Sequence, residues 1–293
     1  MSTRLYATII TAALSALPVA QAAGPRAILI EARNLAYDAN YRNDQGGLRS
    51  AIAILRTLTQ APQEGAYAHY YVAWSYWMLS ASQMEDKNMS AARESAALAV
   101  DHARLAVAAR GKDPEFHTVL VNALTFLAIL DPTRRKEIRT ELTAARRNAI
   151  ELGPDNPRTL LMDAGMIFWA PPEQGGSQAG GIARWHEALR LFDAEANATA
   201  VDPIAPRWGY ALSYGWMASN YLAMSPPQKE NARNAAETAL QLRPDFWYAR
   251  ERVLPRALEV AGESGADGRA APSAPQIASP ESPLSNVSLC PTQ

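Results

Sequence analysis

Cysteine is almost missing from this chain of 293 residues: there is one, Cys290. A single cysteine makes no internal disulfide, so a small disulfide-stapled scaffold is excluded. Charge of either sign is not in excess, with a formal net charge of −1, and this gives no footing for nucleic acid or an anionic membrane surface. Histidine is scarce. His69, His102, His117 and His186 never stand four apart, and His186-Glu187 does not continue into an H-E-x-x-H frame, so no metal and no other cofactor is expected. The stretch Gly176 to Gly180 is not the Gly-x-Ser-x-Gly elbow of a serine hydrolase. No catalytic residue emerges, and the chain does not read as an enzyme. Past the N-terminus every apolar run meets a charge or a proline within about 18 residues, too soon for a membrane span. Strand-type alternation is absent as well.

What is present begins with a secretory leader over residues 1–22. Arg4 opens it, an apolar run follows to Leu17, Pro18 breaks the run, and Ala20-Gln21-Ala22 supplies the small-x-small cleavage frame. Cleavage is expected after Ala22, and no cysteine follows to make a lipoprotein. An exported, alanine-rich chain with almost no cysteine suits the bacterial periplasm.

The next stretch, residues 23–261, is helical in period throughout. Apolar residues recur at three and four, and the spacing predicts helices over 25–39, 48–59, 67–82, 90–109, 115–130, 134–152, 158–169, 182–196, 210–224, 229–242 and 246–260. They pair into five hairpins and a closing helix. Beyond 261 the composition turns to Ser, Ala and Pro, which predicts a disordered tail over 262–293.

One phrase returns along the helices. Ala149-Ile150-Glu151-Leu152-Gly153-Pro154-Asp155 closes one, and Ala239-Leu240-Gln241-Leu242-Arg243-Pro244-Asp245 closes another. A second phrase sits in the first helices of hairpins, a small residue three before an aromatic: Ala73 and Tyr76, Gly165 and Phe168, Ala218 and Tyr221. Asn122, where an apolar residue belongs, makes the hairpin of Phe126 the poorest match.

With these two phrases the chain resembles tetratricopeptide repeat (TPR) proteins over residues 25–260. The resemblance implies an all-α fold, a right-handed superhelical solenoid of helix hairpins. Pro114, Pro154, Pro203 and Pro244 lie 40, 49 and 41 apart, against about 34 in regular units of this kind, so the superhelix should be irregular. A fainter similarity, in layout alone, is to the TPR-type periplasmic component of some bacterial solute transporters.

The register borrowed from the resemblance puts Tyr76 and Phe168 inside. It turns Tyr70, Trp74 and Trp77 toward a concave groove, joined by Met162, Met166 and Trp169 and by Ser219 and Leu222 of later hairpins. An aromatic and methionine lining suits an apolar ligand or a protein or peptide partner, with packing of long helices against the next hairpin as the rival explanation. A small-molecule ligand is the alternative, if the lining closes into a pocket feeding a transporter. The two differ in shape: a peptide groove stays open at both ends, and a ligand pocket is enclosed, on the order of a few hundred cubic ångströms in size, with a few convergent polar groups.

Two further segments stand out. The Gly-rich run 171–181 reads as a long turn between helices, with an anion site at the following helix start as the rival. The basic residues from Arg134 to Arg158 read as a solvated face, with an acidic partner peptide as the rival.

Overall fold

The computed structural model describes residues 24–198 and 202–259. The leader at 1–22 and the tail at 262–293 fall outside the described residues. Those described form eleven α-helices and no strand: α1 (Pro25–Tyr41), α2 (Gln45–Arg56), α3 (Gly65–Glu85), α4 (Met89–Ala109), α5 (Pro114–Leu130), α6 (Arg135–Leu152), α7 (Pro157–Trp169), α8 (Gln178–Ala196), α9 (Tyr210–Ala223), α10 (Lys229–Leu242) and α11 (Leu254–Leu258). A π-helical turn, Tyr248–Val253, runs directly into α11. No single described helix is long and apolar enough to cross a membrane.

Local chemistry sets the boundaries. Pro25, Pro114 and Pro157 start helices where a missing N–H costs nothing. Asp44, Asn88, Asp113, Asn156 and Ser177 accept bonds from first-turn N–H groups, each such cap contributing about 1 kcal/mol. The Ser177 cap explains one difference from the sequence reading. Its hydroxyl accepts from Gly180 N at 2.9 Å, so α8 starts at Gln178 and absorbs the end of the Gly-rich run. The rest of that run is a packed turn, with Ser177 N bonded to Ile167 O at 2.9 Å.

The helices pack as hairpins, α1/α2, α3/α4, α5/α6, α7/α8 and α9/α10, each lying on the next. Alanines fill the contacts: Ala73, Ala96, Ala99 and Ala103 between α3 and α4 are all fully buried, which lets the helix axes approach closely. Gly165 does not have the close-packing part its phrase suggests, because a Cβ there meets only Trp185 at 3.8 Å. The tight site is Gly181 on the opposite helix, where a Cβ would lie 2.6 Å from Phe168.

The array also returns on itself. The connection between α8 and α9 lies against α1 and α3. Arg33 donates to the carbonyls of Pro203 (2.6 Å) and Ala205 (3.2 Å), and Arg26 pairs with Asp202 at 2.5 Å. Further along, Arg243 pairs with Asp38 at 2.9 Å and lies over the Tyr41 ring at 4.2 Å. Tyr41 meets Phe246 edge-on at 5.1 Å. The first hairpin is thus joined to the last.

The basic run is divided by this packing. Arg134 pairs with Glu137 at the surface, Arg146 with the buried Asp163 at 2.6 Å, and Arg158 is itself core. Arg158 bonds Glu115 (2.7 Å), Glu195 (2.5 Å) and the carbonyl of Trp208 (2.9 Å).

Candidate functional site

Inside the joined array lies a cavity of about 1080 Å³, at the upper end of ligand-site volumes. It is walled chiefly by α3, α5, α7 and α9 with the π-helical turn, and α8 adds Trp185. Of the chain's seven tryptophans five line it: Trp77, Trp169, Trp185, Trp216 and Trp247. Phe126, Phe246, Met162, Met166 and Leu222 add apolar surface, and Asn122, Thr125, Ser219 and Asn220 are the polar members between them. Asn122, the misfit of its hairpin's sequence pattern, is therefore a wall residue.

The structure divides the groove residues expected from sequence. Trp77, Met162, Met166, Trp169, Ser219 and Leu222 come together around the cavity. Tyr70 and Trp74 do not: both are core, 0% and 1% exposed, which corrects the expectation that they line a groove. Tyr76, expected inside, is only half-buried, whereas Phe168 is buried.

The physical reason is the connection between α8 and α9, which holds Pro203. Its residues Ile204 and Trp208 cover the face of α3 that a regular array would leave open. Trp208 Nε1 donates to Tyr70 Oη at 2.6 Å, Tyr71 Oη donates to Ile204 O at 2.7 Å, and Tyr37 packs edge-on to Trp74 at 4.9 Å. Helix α3 is consequently buried around most of its circumference. Burial holds the hydroxyls of Tyr70 and Tyr71 well above the usual phenol range and pushes Tyr37 up to about 12. Trp208 then stands beside Trp77, ring centres 5.7 Å apart, with Trp216 on Trp77 at 5.9 Å.

Sequence reasoning missed Trp185, Trp216 and Trp247, and the charged residues at the mouth. Trp216 sits one residue before Met217 on α9 and carried no repeat signal. Trp247 directly precedes the π-helical turn, where a 3.6-residue register does not apply.

Some lining residues carry polar atoms that make no hydrogen bond and are packed away from solvent and cavity alike, the Glu85 Oε2 acceptor among them. Trp77 and Trp185 are each 3% exposed, and neither indole N–H has a partner, nor has the Thr125 hydroxyl. Trp74 Nε1 is unpartnered too, but Trp74 is not among the lining residues. The charged residues of the lining are Glu85, Lys87, Arg252 and Arg256. Lys87 and Arg256 are exposed, so the cavity reaches solvent there. Arg252 Nε lies 3.3 Å from Glu85 Oε2, and its guanidinium lies over Trp247 at 5.0 Å. Burial pushes the Glu85 carboxyl above its ordinary range, against the pull of Arg252. No group of three or more His, Cys, Asp or Glu that could hold a metal occurs among the described residues.

The class defined by this fold is a TPR-like, all-α array of helix hairpins. Such arrays present extended side-chain surfaces for interaction with other molecules. No family model matches the chain, and no curated protein matches it. Among solved structures it is similar to a thermophilic TPR protein of Thermus thermophilus, with a TM-score of 0.48 and 16% identity, covering 79% of this chain and 100% of that one.

Proposed function

We propose that this chain is a non-catalytic binding protein that holds a small ligand inside its joined hairpin array. The observation that carries the reading is the five-tryptophan cavity. Apolar walls with a few polar groups between them are the usual make-up of a small-molecule site, and Asn122, Ser219 and Asn220 supply such groups here. A continuous groove for an extended peptide is disfavoured by the same geometry, because Ile204 and Trp208 occupy the face of α3 along which a peptide would run. A protein partner on the outer face is the second function of a TPR-like array, and the exposed large apolar residues among those described are Ile54, Met89, Leu105, Leu152, Leu242 and Leu258.

The leader signature at 1–22 supports a site of action outside the cytoplasm, in the periplasm of a bacterium or in the medium. Ligand release to a transporter is the role consistent with both parts of the reading.

Native mass spectrometry of the full chain, purified under gentle conditions, tests the binding proposal. A single small-molecule adduct that is lost on denaturation is expected. A bare polypeptide mass, unchanged after incubation with a lipophilic extract of the expression host, would contradict it. N-terminal sequencing of material exported by a bacterial host tests the location. A chain beginning at Ala23 is expected, and retained Met1 would oppose it.

A further inference from the structure

We propose that the ligand of the central cavity is an amphipathic organic anion, its apolar body among the tryptophans and its acidic head at the Lys87–Arg252–Arg256 mouth. The inference rests on the reading of the cavity as a ligand site and adds the chemical class.

Three observations carry it. The first is charge placement. The cavity has four charged lining residues, three cationic and one acidic, and none belongs to the apolar wall formed by α5, α7 and α9. Glu85 pairs with Arg252 at 3.3 Å, and neither Lys87 nor Arg256 forms an ion pair among the described residues. An acid head at this charged part of the lining has Lys87 of the α3–α4 turn and Arg256 of α11 as cations not already held in an ion pair. A cationic head would meet the same two groups as like charges.

The second is polarity by kind. Lys87 and Arg256 can only donate hydrogen bonds, and the one acidic lining residue, Glu85, already faces Arg252. A head that accepts, as a carboxylate or sulfonate does, meets these donors, and an ammonium does not.

The third is the wall itself. Tryptophan and methionine present flat, polarisable and adaptable surface. Together with a volume of about 1080 Å³, this suits an apolar body larger than a metabolite of a few carbons.

The test is isothermal titration of the full chain with four probes: decanoate, naphthoate, decan-1-ol and decyltrimethylammonium. At least one of the two anions is expected to bind about ten times or more tightly than the cation of equal chain, with decanol between them. The variant Arg256→Glu, at an exposed position where the fold has little at stake, should weaken the anion about tenfold and improve the cation. Trp216→Ala should weaken anion and alcohol alike, and circular dichroism should show both variants helical. If decyltrimethylammonium binds as well as the anions, or Arg256→Glu changes nothing, the anion assignment is overturned while the cavity remains a ligand site. If none of the four probes binds, the cavity reading itself fails with it.

Discussion

The Tyr71 hydroxyl donates to the carbonyl of Ile204 at 2.7 Å, across 133 residues of sequence. This bond, with Trp208 on Tyr70, converts the side of α3 that would face a groove into core. It makes the connection between α8 and α9 a structural part of the binding chamber. The first prediction follows directly. Trp74→Ala should destabilise the protein by about 3–5 kcal/mol, the cost of truncating a buried aromatic. Urea unfolding monitored by circular dichroism reads this. A loss below about 1 kcal/mol, the scale of a surface substitution, would return Trp74 to an exposed face.

A second prediction concerns Arg158. Its two carboxylates, Glu115 and Glu195, and the Trp208 carbonyl surround a guanidinium that is 5% exposed. Arg158→Met leaves the buried Glu115 and the part-exposed Glu195 without their cation and should cost about 3–5 kcal/mol. The exposed pair Arg26–Asp202 has a comparably short distance of 2.5 Å, yet Arg26→Ala should cost no more than about 1 kcal/mol. Equal losses in the two variants would show that depth does not separate these pairs.

The third prediction is a pH dependence. His69 and His102 share a bond, Nδ1 to Nδ1, at 3.0 Å, which requires one ring to accept and hence to be neutral. Burial and then the neighbouring His69 hold His102 down at about 4, with Arg56 acting in the same direction and Asp101 opposing; burial lowers His69 as well. The unfolded chain therefore binds protons that the folded chain refuses. Stability from this pair is complete above the ordinary imidazole value near 6.5 and is lost as pH falls toward about 4. The urea midpoint should drop between about pH 7.5 and about pH 5, and His102→Gln should flatten that drop. A midpoint that rises on acidification would reverse the sign and refute the account of the pair.

Much of this fold is legible in the sequence because it is local. Pro and Asx caps, alanine spacing and helical period define most of the helices to within a few residues, and α10 coincides with the spacing's own bounds, 229–242. The chamber is less legible because it is made by distant segments. Nothing in the run Asp202 to Trp208 announces that it will lie on α3, and nothing around Arg243 announces Asp38. Trp77, Met162 and Met166 are readable as one surface because they share helix faces in repeated hairpins. Tyr70 and Trp74 share that face too, but a non-repeated connection covers them.

A fourth prediction tests the joining of the array. The Phe246 ring sits over Gly215, where a Cβ would lie 2.5 Å from it, and on Tyr41 of the first hairpin. Gly215→Ala should push Phe246 off its seat and cost about 1–3 kcal/mol, as overpacking does. Hydrogen exchange should then quicken in α1 as well as in α9. Faster exchange confined to α9 would mean that the first and last hairpins are not coupled through Phe246.

The central claim is that the interior of the array is the binding site, and the seven tryptophans supply its most direct measurement. Each gives one indole N–H resonance in a spectrum of tryptophan-labelled protein. On titration with the tightest of the probes named above, the account predicts shifts for Trp77, Trp169, Trp185, Trp216 and Trp247, the five that line the cavity. Trp74 and Trp208, packed between α1, α3 and the connection, should move little. Shifts confined to Trp74 and Trp208, or binding with all five cavity resonances unmoved, would contradict the account.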